Sequence, residues 1–154
     1  MNKQSVSTSI PGAALLLGLA GLIPFVAGAA SLWSLLPPIG AEAGLKLVIG
    51  YGAIILSFLG GIRWGTAIGP YDGARQALEF SASVLGSLAG LAAIFIPSVP
   101  ALTLLIAGFL MQALWDVTSV EIGRLPAWFG KLRMVLTGGA IISLTTALVA
   151  VIVT

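Results

Sequence analysis

Five long apolar runs, roughly Ile10–Leu32, Gly44–Ile62, Ala77–Ile96, Ala101–Leu114 and Met134–Val153, make up most of this 154-residue chain, and the charged residues gather between them. A helix of about 20 apolar residues crosses the hydrocarbon core of a bilayer, which is the natural home for such runs. Within hydrocarbon the backbone must satisfy its own hydrogen bonds, as it does in a helix or a closed barrel. No alternating ten-residue strand pattern supports a barrel, so the spans are predicted to be helices. The chain therefore reads as an all-α membrane protein, a single transmembrane domain over residues 1–154 arranged as a bundle of five transmembrane helices.

Composition strengthens this reading. Charged residues are 8% and hydrophobic residues 58% of the chain, and the mean hydropathy is +1.12, whereas a soluble domain carries about 25% charged residues. Of the seven Lys and Arg residues, Lys3, Arg63, Arg75, Arg124, Lys131 and Arg133 fall on one side of the five-span arrangement and only Lys46 on the other. Cations favour the cytoplasmic side, so the expected topology is amino terminus in, carboxyl terminus out. Lys3 followed by an apolar stretch and Ala27-Gly28-Ala29 resembles a secretory signal, but Pro24 and Phe25 interrupt that stretch, and an uncleaved first span is the reading adopted. A mitochondrial precursor is expected to carry an Arg- and Ser-rich presequence longer than the nine residues before the first run. A bacterial inner membrane is therefore expected, with the mitochondrial inner membrane as the alternative.

Small residues mark where helices can approach closely. Gly50, Ala53, Ser57, Gly60 and Gly61 share a face of the second span, and Ala82, Gly86 and Gly90 recur every four residues in the third, beside Ser83 and Ser87. These two helices are predicted to pack along that seam. Gly139, Ser143 and Ala147 offer a further seam in the last span. Pro24 removes an amide from the first span and is the candidate hinge, read first as a packing bend. Gly69-Pro-Tyr-Asp-Gly73 and Pro97-Ser-Val-Pro100 are turns, and Arg75 and Glu79 are placed as i,i+4 partners.

The candidate polar cluster is Arg63, Trp64, Gln112, Trp115 and Asp116, at the ends of the second and fourth spans. The expectation is an ion pair between Arg63 and Asp116 with Gln112 as a hydrogen-bonding neighbour, acting as a structural lock. The stretch from Asp116 to Arg133 is taken as the longest polar loop, lying along the headgroups.

The chain has no His and no Cys, so it cannot itself build a histidine-based triad, a thiolate nucleophile, a zinc site of those ligands or a disulfide. No catalytic, cofactor-binding or metal-binding constellation is identified, and an enzyme is not expected. A net charge of +2 is too thin for a nucleic-acid surface.

Gly21-Leu-Ile-Pro-Phe25, the stretch from Tyr51 to Gly65, Gln112 to Asp116, and Leu125-Pro-Ala-Trp with Leu132-Arg together resemble the membrane family called domain of unknown function 3429, the transmembrane protein 69-like family. Ser57-Phe-Leu-Gly-Gly-Ile-Arg-Trp-Gly65 is the most specific portion, and the resemblance covers nearly the whole chain. It implies a multi-pass inner-membrane protein and brings no reaction or ligand. The expected partners are the lipid bilayer and either another membrane protein or a second copy of the chain, in an accessory or assembly role. The alternative is a small transporter or channel for an uncharged solute, functioning as an oligomer.

Overall fold

A computed structural model describes residues 9–36, 38–69 and 73–153. It contains six helices among those residues: α1 (Gly12–Ala20), α2 (Ile23–Leu32), α3 (Ala41–Ala67), α4 (Gly73–Phe95), α5 (Ser98–Glu121) and α6 (Ala127–Val153). The first two form one broken span, Gly12–Leu32, so that five segments are long and apolar enough to cross a membrane. No strand is present among the described residues.

The break in the first span falls where a proline removes a donor. Pro24 enters α2 in its first turn, while Gly21 ends α1 and donates its amide back to the Leu17 carbonyl at 2.9 Å. Proline at a first turn leaves no interior bond unmade, so the chain divides into two helices instead of straining one.

Helix α3 lies against α2, α4 and α5, and α6 closes the bundle against α5 and α2. Phe25 stands at the centre, with its ring 5.1 Å from Tyr51 and 5.7 Å from Phe109 in edge-on contacts. Val48, Leu56, Leu102, Leu105 and Leu144 are the other large, fully buried side chains of the core. Most other large apolar side chains point outward, including Leu16, Phe58, Met111 and Ile142. In water such a surface would aggregate; in a bilayer it faces lipid.

The tightest crossing joins α3 and α4. A Cβ on Gly60 would sit 2.2 Å from the Ser83 carbonyl oxygen, one on Gly86 would sit 2.8 Å from the Leu56 oxygen, and one on Gly90 would sit 2.7 Å from the Ala53 oxygen. Backbone therefore touches backbone along this seam, and the Ser57 and Ser87 hydroxyls bond to each other across it at 2.8 Å. Gly50 and Gly61 are a correction to the seam read from sequence. A Cβ on either meets nothing within 4 Å, so neither takes part in the backbone contact, although both lie within about 40° of Ser57 around the helix.

The helices also outrun the apolar runs. Helix α5 continues through Asp116 to Glu121, and α6 begins at Ala127, so the expected polar loop from Asp116 to Arg133 shrinks to residues 122–126. Gly123, with φ +76°, makes the turn. Its amide reaches the Val120 carbonyl, and the Arg124 amide reaches the Ser119 carbonyl at 2.8 Å, which caps the end of α5. Among the residues of the 69–73 turn, Pro70, Tyr71 and Asp72 lie outside the described set.

Candidate functional site

Buried stripes on α4, α5 and α6 continue from the apolar core into charged residues at one end of the bundle. On α4 the stripe runs Ala93, Gly90, Ser83, Glu79; on α5 it runs Leu102, Leu105, Phe109, Gln112, Asp116, Ser119; on α6 it runs Ala147, Leu144, Ala140, Thr137, Arg133. Steps of three, four or seven residues keep each set on one helical face, so packing the apolar part inward carries the polar part inward too.

Two ion-pair groups result. Glu79 is 3% exposed and accepts from Arg63 Nε at 3.1 Å and from Arg124 Nη1 at 3.3 Å. Asp116 accepts from Arg133 Nε, and both residues are buried. Trp115 joins the groups, because the Arg63 guanidinium lies over its ring at 3.3 Å from the centroid. A guanidinium over an indole face is held by the ring quadrupole, more strongly once water is excluded. Together the contacts tie α3, α4, α5, the 122–126 connection and α6 into one charged end.

The Arg63–Asp116 pair expected from sequence is therefore replaced. Arg63 binds Glu79 on the neighbouring helix, since the backbone seam of α3 and α4 draws those two side chains together. Asp116 faces α6 and takes Arg133. Gln112 is buried one turn before Asp116 and enters neither ion pair. Trp64 turns outward, 47% exposed, and packs on Phe80 with ring centroids 4.6 Å apart. Glu79, expected to pair along α4 with Arg75, accepts across the bundle from Arg63 and Arg124.

Glu79, Arg124 and Arg133 are the members that the sequence reading left out of the cluster. The signal for Glu79 and Arg133 lay in the stripes: each occupies the inward face three or four residues beyond a small or apolar buried position. Thr137, one turn after Arg133, is also buried, and its Oγ1 and the Arg133 Nη2 have no hydrogen-bond partner. Among the described residues no group of three or more His, Cys, Asp or Glu is placed to hold a metal. Chemically the arrangement satisfies carboxylates with guanidiniums and fastens helix ends.

The family described as "Protein of unknown function (DUF3429)" matches residues 10–149. The chain belongs to this family. It is also 39% identical over 142 residues to Transmembrane protein 69 of Xenopus tropicalis, a match covering 90% of this chain and 54% of the relative. The chain thus spans about half the length of that relative. No solved structure matches it. The charged end draws on both interior and late parts of the matched segment, from Arg63 to Arg133, so the DUF3429 region contains the whole cluster.

Proposed function

We propose that this DUF3429 member is a non-enzymatic bundle that serves another membrane protein as an accessory or assembly partner. In this proposal it lies in a bacterial inner membrane with its charged end cytoplasmic. The observation that carries the reading is the outward pair Gly61 and Gly65, one helical turn apart at the charged end of α3, where an added Cβ would meet nothing within 4 Å. Small residues in a membrane helix permit close approach of a second backbone, and these two are not consumed inside the bundle. The pairing of the buried acids with arginines supports a structural role for the charged end. The mutual hydrogen bond of Ser57 and Ser87 weighs against a solute path between α3 and α4.

The test is purification of the chromosomally tagged chain in native lipid discs, with protein mass spectrometry of wild type and of Gly61→Leu with Gly65→Leu. A stoichiometric protein partner that is lost in the double variant, at unchanged accumulation of the chain, supports the reading. Isolation of the wild-type chain alone overturns it.

A further inference from the structure

We propose that a second feature of the bundle, an apolar cavity ending at Arg133, is a binding site for a lipid quinone, independent of any protein partner. The cavity is about 350 Å³ and lies between the broken first span, α3, α5 and the first half of α6. That volume is within the roughly 300–1,000 Å³ of small-molecule sites. Two of its lining residues, Leu17 and Phe58, are 72% and 64% exposed on the apolar exterior of the bundle. The mouth therefore opens sideways into hydrocarbon, and the occupant enters from the bilayer.

The walls select the shape of that occupant. Five of the seventeen lining residues are aromatic (Phe25, Phe58, Phe109, Trp128 and Phe129), in a chain that is 8% aromatic. Aromatic edges and faces complement a flat ring by offset or edge-on packing, which a flexible acyl chain exploits less well.

Arg133 selects the polar group. It is the one charged residue lining the cavity; its Nε is engaged by Asp116, and its buried Nη2 has no hydrogen-bond partner. A buried N–H without an acceptor is costly, and an oxygen delivered by a ligand removes that cost. Because Asp116 already neutralises the guanidinium, the acceptor of choice is neutral. A carboxylate or phosphate would place a second negative charge beside Asp116 in a medium of low dielectric. A quinone supplies a neutral carbonyl oxygen on a flat ring, with an apolar tail that leaves through the lipid-facing mouth. Because Nη2 is itself buried, seating the carbonyl on it requires the guanidinium to turn toward the cavity that the residue lines.

The test uses the full chain in discs of synthetic phosphatidylcholine, a short-tailed ubiquinone analogue carrying a diazirine, and peptide mapping of the photoproducts. Saturable labelling of residues 14–25 and 128–136, competed by decylubiquinone and not by decylbenzene, is the expected result. Phe58→Leu at the mouth should weaken competition about three- to tenfold, the worth of one aromatic contact. Arg133→Met combined with Asp116→Leu should weaken it about tenfold, the worth of one hydrogen bond from a charged donor. If that double variant does not fold, Phe58→Leu decides by itself. Labelling that never saturates, equal competition by decylbenzene, or photoproducts scattered over the whole lipid-facing surface would overturn the proposal and leave the cavity to bilayer acyl chains.

Discussion

Replacing Arg133 with methionine would leave Asp116 as a buried carboxylate stripped of its Nε donor. Breaking one side of a buried pair is destabilising by about 3–5 kcal/mol, whereas exchanging both partners for apolar residues is often neutral. Arg133→Met should therefore lower the thermal midpoint in detergent steeply, and Arg133→Met with Asp116→Leu should recover most of the loss. Equal midpoints for the single and double variants would remove the pair as a stabilising contact. Lys46 and Glu42 are the internal control: their side chains are 76% and 83% exposed, so Lys46→Ala should leave the midpoint unchanged. The residue scale is also where the sequence was least readable. That Asp116 faces inward follows from its four-residue step after Gln112, but its choice of Arg133 over Arg63 depends on which helix lies opposite, and helical periodicity carries no information about neighbours. Arg133 was hidden for a related reason. As a cation next to an apolar run it looks like a membrane-edge residue, and only the continuation of the α6 stripe through Thr137 shows it inside.

At the scale of helices, the α3–α4 crossing separates glycines that look alike in sequence. Gly60 and Gly61 are adjacent, yet a Cβ on the first meets the Ser83 carbonyl while one on the second meets open space. Gly60→Ala must push two backbones apart and should cost about 1–3 kcal/mol, the usual penalty for overpacking. Gly61→Ala removes a poor helix former and should be neutral or stabilising by up to about 1 kcal/mol. Thermal unfolding of the two variants side by side checks this, and comparable losses in both would mean that the seam does not run where these contacts put it. Periodicity made the stripe of Ala53, Gly86 and Gly90 readable in advance, because a close helix crossing needs small residues at steps of three or four. It could not separate Gly60 from Gly61, since a small-residue face about 100° wide admits both neighbours at its two edges. The helix ends were misplaced for a different reason: polar residues that pair with one another inside the bundle let α5 and α6 continue past the point where hydropathy falls.

For the whole molecule, the five-span architecture was visible because bilayer thickness imposes one length on every crossing. Orientation rests on a separate physical asymmetry. In the folded bundle, Arg63, Arg75, Arg124, Lys131 and Arg133 lie toward the ends where α3 leads to α4 and α5 leads to α6, and Lys46 lies toward the opposite ends. Cations near span ends are retained on the cytoplasmic side, so the charged end should face the cytosol and the Glu42–Lys46 end the exterior. The chain contains no cysteine, which makes the wild type a ready background for single-cysteine labelling. Glu42→Cys should react with a membrane-impermeant maleimide in intact cells after outer-membrane permeabilisation. Lys131→Cys, an exposed position near the start of α6, should react only after the inner membrane is opened. The reverse pattern would invert the molecule, and equal labelling of both positions in intact cells would indicate two orientations in one population. The first result would move the Arg63, Glu79, Asp116 and Arg133 contacts to the exterior, and with them the side of the membrane on which a partner must engage Gly61 and Gly65.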